Sequence, residues 1–289
     1  MAYHTETFEK GERITLNDVR QIEVKILGAY IKFCEENGLR YFLAGGSLIG
    51  AVRNQGYVPW DDDIDVVMPR PDYDRFHELC KNGKLGSFEV RSIDICPDIH
   101  CRGLIRVVDP DYMTEMKSDP MFLPPWIDVF PLEGLPKDYG ECVKHYDEAA
   151  YWKLQSRRAR LDWRLVPHKS LKEKITRAVK KVAFWYLRNV TGPVKINQKL
   201  IEIARKYKFD DCEYVGVVAT GLGIRERMPK EIFLDGEAKL PFEGLMVSVP
   251  AHYDRYLTRF YGDYLTLPPE KYRKIHVLDA WKVKKSKKV

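Results

Sequence analysis

Apolar positions along the chain fall first into a helical rhythm and then into short runs. In VRQIEVKILGAYIKFCEE (19–36), Val19, Ile22, Ile26, Leu27, Tyr30 and Cys34 recur at three- and four-residue spacing. That predicts an amphipathic helix, capped by Asn17 or Asp18 and stopped by Gly38. RYFLAGG predicts a short strand ending in two glycines, SLIGAVRN a helix directly after them, and IDVVM a second strand. PDYDRFHELCKNG reads as a helix with proline at its start and glycine beyond its end. SFEVRSID, RGLIRVVD and PPWIDVFPLEG read as further strands, the last bracketed by prolines. From about residue 137 to 207 the pattern is helical, with breaks near Pro167 and at 191–193. EYVGVVATG, a strand pair around KLPFEGLMVSVP, and a helix at HYDRYLTRFYG follow. Mixed, then helical, then mixed again, the order predicts an α+β protein. Its parts are a core at 1–136, a helical basic segment at 137–207, a stretch at 208–276 that completes the core, and a lysine-rich tail at 277–289.

Composition adds little to this picture and charge adds more. The chain has 289 residues, 45% hydrophobic and 31% charged, an ordinary soluble globular balance. Its first residues lack the apolar core of a signal peptide, and no run of about 18 apolar residues occurs. A cytoplasmic location is therefore expected, and with it reduced thiols for the six cysteines. Cys96, His100 and Cys101 lie close together in CPDIHC, but no second ligand pair at zinc-like spacing accompanies them. The net charge of +6 hides a separation: residues 151–190 carry +10, residues 271–289 carry +7, and the remainder carries −11. Such a separation suits an anionic partner for the two basic segments.

The candidate chemistry lies in PWDDDIDVVMPR. On a strand Asp63 and Asp65 point the same way, roughly 7 Å apart, while Ile64, Val66 and Met68 take the buried face. Two close carboxylates repel, and a hard divalent cation, magnesium or manganese, relieves the conflict. Asp128, a lone acid in WIDVF, completes a three-carboxylate set if its strand is a neighbour. Gly45, Gly46 and Ser47 stand between a strand and a helix start, where a phosphate meets amide N–H groups and the positive end of a dipole. Arg53, a turn or two along, adds a cation for the same phosphates. A metal clamp facing a phosphate cradle is what phosphoryl transfer requires. The plainer readings are a strand-to-helix turn for GGS, a structural buried acid for Asp128, and a solvated turn for Asp61 and Asp62 after Trp60. The last is the expectation adopted here.

LAGGSLIGAVRNQGYVPWDDDIDVVMPRPDYDRF resembles the signature of the LicD family, within the nucleotidyltransferase-fold superfamily. WIDVFPLEG resembles the family's downstream acidic strand, and LPFEGLMVSVPAHYDRYLTRFYGDYLTLPP, with His276 beyond it, its C-terminal motif. The resemblance spans residues 39–76, 125–134 and 240–276 and gives no guidance over 140–235. It implies a nucleotidyltransferase-like mixed sheet flanked by helices, with a helical insertion in the second half. It also implies transfer of a phosphorylated alcohol from a CDP-linked donor such as CDP-choline to a glycan hydroxyl, with CMP leaving. The acceptor would be a lipid-linked teichoic acid, lipopolysaccharide or capsule precursor; related fukutin-type enzymes transfer ribitol phosphate. By motif position Asp63 and Asp65 would bind the metal, and Asp128 would be a third ligand or the base. Gly46 and Ser47 would contact donor phosphates, with Arg53 in support. Asp62, Asp263 and His276 are further candidates.

In LKEKITRAVKKVAFWYL, Leu171, Ile175, Ala178, Val179, Val182 and Tyr186 form one stripe and five basic residues cover the other side. Two readings stand: a helix packed on its own protein, and a helix at an anionic membrane surface on the inner face of the cell membrane, where a lipid-linked acceptor would be found. No RNA-binding motif favours nucleic acid. Two alternatives to the phospho-alcohol transferase remain. One is a nucleotidyltransferase moving NMP from an NTP to a small molecule or RNA; the other is a binding module with a structural cation.

Overall fold

The structure, a computed structural model, describes residues 8–95, 101, 103–117, 122–160, 186, 192–270, 273 and 275–284. The predicted basic helix at 171–186 falls outside these but for Tyr186, as do Cys96 and His100. In chain order the first half runs β1 (Lys10–Ile14), α1 (Leu16–Asn37), β2 (Phe42–Leu43), α2 (Gly45–Asn54), β3 (Ile64–Pro69), α3 (Arg70–Leu79), β4 (Lys84–Leu85), β5 (Phe88–Arg91), β6 (Ile105–Val108), β7 (Tyr112–Met116), β8 (Phe122–Leu123) and β9 (Trp126–Leu135). There follow α4 (Tyr139–Arg160), α5 (Pro193–Ala204), β10 (Tyr214–Gly216), β11 (Met228–Pro229), α6 (Glu231–Leu234), β12 (Ala238–Phe242), β13 (Leu245–Val249), α7 (Tyr253–Tyr261) and β14 (Val277–Val283). The organisation is α+β, as the order of periodic segments predicts.

Helix α1 starts earlier than its apolar stripe suggests. Thr15 is the cap, not Asn17 or Asp18: its hydroxyl accepts from the Asp18 N–H while Asp18 accepts from the Thr15 N–H at 2.8 Å. This reciprocal pair satisfies two amides that the helix itself cannot. Gly38 ends the helix in the left-handed region at φ 61°, as expected. The buried stripe of α1 meets α3, and Tyr30 lies edge-on to Tyr41 and Phe76 at 5.3 and 5.4 Å.

Strand β9 organises the main sheet. Its first half pairs with β6 on one side and, in parallel, with β3 on the other; its last residues pair with β10. The rest of the sheet follows the order β11-β10-β9-β6-β5-β4, with β2 on the outer edge of β3. Ile64, Val66 and Met68 are fully buried, as the alternation predicts. Each such side chain contributes about 1.5–3 kcal/mol by leaving water. With one face of β3 anchored in this way, a slip in register would drive Asp65 into the core.

Helices α4 and α5 belong to a smaller core of Leu135, Cys142, Tyr146, Ala149, Leu200, Ile203, Ala204, Val218 and Ala219. The helical segment is thereby tied to the end of β9 and to the chain after β10. Residues 277–283, expected within the tail, instead form β14, which lies between β1 and β7 in a second sheet of order β1-β14-β7-β8. Among the described residues no helix is long and apolar enough to cross a membrane, and the described cysteines are free.

Candidate active site

Parallel pairing of β3 with β9 sets Asp65 directly across from Asp128. On the far side of β9, Arg106 stands across from Asp128, and its Nε donates to Asp128 Oδ1 at 2.7 Å. Asp63 and Asp65 each feel the charge of Asp128. The three acids expected to converge do so. Burial first, and then the neighbouring carboxylates, hold the pKa of Asp63 and of Asp65 well above the usual range.

The glycine turn lies against these acids. Gly45 has φ +57°, and a Cβ there would sit 3.0 Å from Asp65 Oδ2; at Gly46 it would collide with Asp61 Oδ2. Two glycines are required because the start of α2 and the carboxylates share one small space. Ala44, the cap residue of α2, offers no side-chain acceptor to the first amides of the helix. Ser47 holds the turn to the strand: its hydroxyl donates to the Asp63 carbonyl at 3.3 Å and accepts from the Asp65 N–H at 3.0 Å. That hydroxyl is buried and engaged with the backbone, so Ser47 fixes where the acidic strand sits.

Asp61 and Asp62 are not the solvated turn expected of them. Asp62 has no exposed surface. Its Oδ2 accepts from the backbone N–H of His276 at 2.7 Å and of Val277 at 2.6 Å, and its Oδ1 meets His276 Nδ1 at 2.9 Å. A carboxylate with three such donors is stable in the interior, and the donors arrive from the far end of the chain. Asp61 is also buried, and its Oδ2 has no hydrogen-bond partner. Burial is the first cause of the raised pKa of Asp61.

His276 does reach the site. Its pKa is raised to about 9, first by the bond to Asp62 and then, against partial burial, by the charges of Asp63, Asp62 and Asp61. It is therefore a cation at neutral pH, lying against an otherwise anionic cluster. Among the described residues, Asp62, Asp63 and His276 each bring one ligand atom within 4.8 Å of the others. Asp62 is already saturated by its three donors, so Asp63 is the freer oxygen donor of that group.

Asp263 is absent from the cluster. It is exposed, and it accepts from the Thr266 N–H and hydroxyl within a turn. Arg53 occupies the last turn of α2, about 12 Å along the axis from Gly45. Its Nη1 donates to the Tyr264 carbonyl at 3.3 Å, its guanidinium lies 5.8 Å from the Trp60 ring, and its buried Nη2 has no partner.

Sequence reasoning missed three contributors. Arg106 is a lone cation between Ile105 and Val107 on a buried strand, the same signal that picked out Asp128. Glu23 is fully buried beneath the acidic residues and accepts from the Tyr57 hydroxyl at 2.8 Å. Burial first, opposed by that bond and aided by Asp63, Asp62 and Asp61, pushes its pKa well up. The hydroxyl of Tyr256 accepts from the backbone N–H of Gly45.

The acids fit a divalent cation. Several buried carboxylates raise one another's pKa, and Asp61 Oδ2 is left unsatisfied, which is the donor set a hard cation completes.

Residues 38–94 match the family model described as LicD/FKTN/FKRP, nucleotidyltransferase domain. The match covers the segment on which the family resemblance mainly rests. Over 270 residues the chain is 28% identical to the lipopolysaccharide cholinephosphotransferase LicD of Haemophilus influenzae, covering 92% of this chain and 97% of that protein. An uncharacterized protein of Rickettsia typhi is 32% identical over 56 residues, 19% of this chain and 18% of its own length.

Proposed function

From a chain whose residues 38–94 belong to the LicD family's nucleotidyltransferase domain, we propose a transferase that moves phosphocholine, or a similar phospho-alcohol, from a CDP-linked donor to a glycan hydroxyl and releases CMP. The observation that carries this reading is the register of Asp65 on Asp128, with Gly45 packed against Asp65 Oδ2. It joins an acidic clamp to a helix start within one small space. The cholinephosphotransferase name of the Haemophilus relative supports the transferred group, and its lipopolysaccharide supports a glycan acceptor.

Each residue then has a task. Asp63, Asp65 and Asp128 hold magnesium or manganese. The bound cation supplies neutralisation of the donor's diphosphate and of the charge that develops on CMP. Gly45 and Gly46 let the diphosphate approach the start of α2, where the helix's first amides and its positive end bind its oxygens. Arg53, through Nη2, binds the remaining phosphate charge. Arg106 fixes the orientation of Asp128, and Ser47 that of β3. The acceptor oxygen forms a bond to the phosphorus nearest choline as the bond from that phosphorus to the CMP oxygen breaks. The acceptor's proton passes to the acidic cluster, where Asp61 Oδ2 has no other partner.

Incubation with CDP-choline, magnesium and a glycan acceptor is expected to release CMP, and a chelator is expected to abolish that release. Asp65→Asn should lower the rate by two orders of magnitude or more, about 2.7 kcal/mol, while the protein still melts cooperatively. Pyrophosphate release from an NTP, with no CMP from any CDP-alcohol, would replace this reading with that of a nucleotidyltransferase. Unchanged activity in Asp65→Asn would reduce the cluster to a structural cation site.

A further inference from the structure

The acidic segment is held at both of its ends, by different means. At the downstream end β3 is fixed by its pairing with β9, and Ser47 grips the Asp63 carbonyl and the Asp65 N–H. At the upstream end residues 58–61 belong to no strand or helix. They form a tight turn in which the Asp61 N–H donates to the Val58 carbonyl at 2.9 Å. A turn without a sheet around it needs another anchor if Asp61 is to keep one position.

Arg20, on the first turns of α1, is that anchor. Its Nε donates to the Asp61 carbonyl at 3.0 Å. Its Nη2 donates to the carbonyls of Asp61 at 2.6 Å, Pro59 at 2.9 Å and Val58 at 3.5 Å. Three carbonyls of one turn thus converge on one guanidinium, whose planar fork of donors serves several acceptors at once. The guanidinium also lies 5.1 Å from the Tyr57 ring. Tyr57 is itself fixed, since its hydroxyl donates to Glu23 Oε2 at 2.8 Å and its N–H to Glu243 Oε1 at 3.1 Å.

This turn ends on a carboxylate that is placed and unspent. Asp61 is buried, its Oδ2 has no partner, and that oxygen occupies the space a Cβ on Gly46 would need. It therefore lies against the start of α2. A residue's carbonyl and its Cβ leave the same Cα region through fixed bond angles, so holding the carbonyls on both sides of residue 60 limits where the Asp61 side chain points.

We propose that Arg20 is a positioning residue: by gripping the carbonyls of Val58, Pro59 and Asp61 it aims Asp61 Oδ2 at the start of α2, and so sets the rate of transfer and not the binding of metal or donor. This rests on the phospho-alcohol transfer reading, in which Asp61 Oδ2 is left open to the acceptor. Arg20 touches no reacting group and acts through Asp61. The metal ligands keep their own support, from the sheet and Ser47.

Arg20→Gln removes the fork. In CMP release from CDP-choline it is expected to lower kcat by about tenfold or more. KM for the donor, and the dissociation constant of the free protein for manganese measured by electron paramagnetic resonance, should each change by less than about threefold. Arg20→Lys, whose ammonium still reaches one or two of the carbonyls, should recover part of the lost kcat. The sharpest comparison is with Asp61→Asn. Adding Arg20→Gln to that variant should cost less than about threefold more, because residues that work as one unit do not add. Losses that multiply would overturn the assignment, as would an unchanged kcat in Arg20→Gln. A fall in manganese affinity as large as the fall in kcat would overturn it too, because Arg20 would then support the whole cluster. Should Arg20→Gln not fold, Arg20→Lys takes its place in each comparison.

Should wild type release no CMP, the transfer reading fails, and hydrogen exchange judges the clamp alone. Arg20→Gln is then expected to speed exchange of the Asp61 amide by about tenfold or more, while β3 and α1 keep their protection. Unchanged exchange at Asp61, or a general rise that includes β3, overturns the clamp.

Discussion

Asp62 shows how one side chain joins the two ends of the chain. Its carboxylate holds the backbone at His276 and Val277 and the imidazole of His276, and it is wholly buried. Removal of one partner from a buried, charged network strands the others, at a cost of about 3 kcal/mol. Asp62→Ala is therefore expected to lower the unfolding free energy by about that amount in a urea titration. The sign of the pH effect follows from His276. Its folded pKa of about 9 lies above the ordinary value of 6.5. The stabilisation is fully present below about pH 6.5 and is lost as pH rises through about 9. The advantage of wild type over Asp62→Asn should therefore shrink between pH 6 and 10, measured with a chelator present. An advantage that grew over that range would contradict the assigned ion pair. None of this was legible from the residue itself. Four aspartates in five positions read as a hydrated turn, because the donors that bury Asp62 are more than 200 residues away in sequence.

At the scale of elements, the acidic strand and its partner were the most legible part of the protein. Alternation marked which face of β3 is buried, and a lone acid in WIDVF marked β9. The family resemblance supplied the expectation that the two acids meet. The register, Asp65 on Asp128, required the fold. The glycine turn was legible as a turn but not as a close contact, since the group it approaches belongs to another element. That contact sets a prediction for α2. Gly46→Ala adds a methyl where Asp61 Oδ2 already lies. Helix propensity favours alanine over glycine by about 1 kcal/mol, yet the collision must push either the helix start or Asp61 aside. The variant is expected to lose at least tenfold in CMP release while its melting temperature falls by only a few degrees. Full activity in Gly46→Ala would mean that the turn tolerates a side chain and that no close approach is needed there. Arg106 is the element-scale miss. A strand carrying one half-buried cation among buried apolar residues deserved the same reading as a strand carrying one buried acid.

For the whole molecule, the end of the chain matters more than its composition suggests. The lysines of KVKKSKKV gave the appearance of a solvated tail, and their charge outweighs the pattern of VLDAW in any local reading. In the fold, Val277, Ala280 and Trp281 are buried and β14 is an interior strand, hydrogen-bonded to β1 on one side and β7 on the other. Lys10 stacks its ammonium 3.6 Å from the Trp281 ring, and the Lys117 N–H donates to the His276 carbonyl at 2.7 Å. Residues 276–277 also carry the donors that neutralise Asp62, so the second sheet and the acidic cluster are mechanically one unit. A chain ending at residue 275 would lose the strand between β1 and β7 and leave Asp62 buried without partners. It is expected to be insoluble or to unfold well below the full chain, and to release no CMP. A chain ending at residue 284 keeps β14 and removes only Lys285–Val289, and it should melt with the full chain and retain its activity toward a soluble acceptor. If the protein cut at 275 folded and turned over normally, the coupling between β14 and the acidic cluster would be wrong, and His276 would have no part in holding the site together.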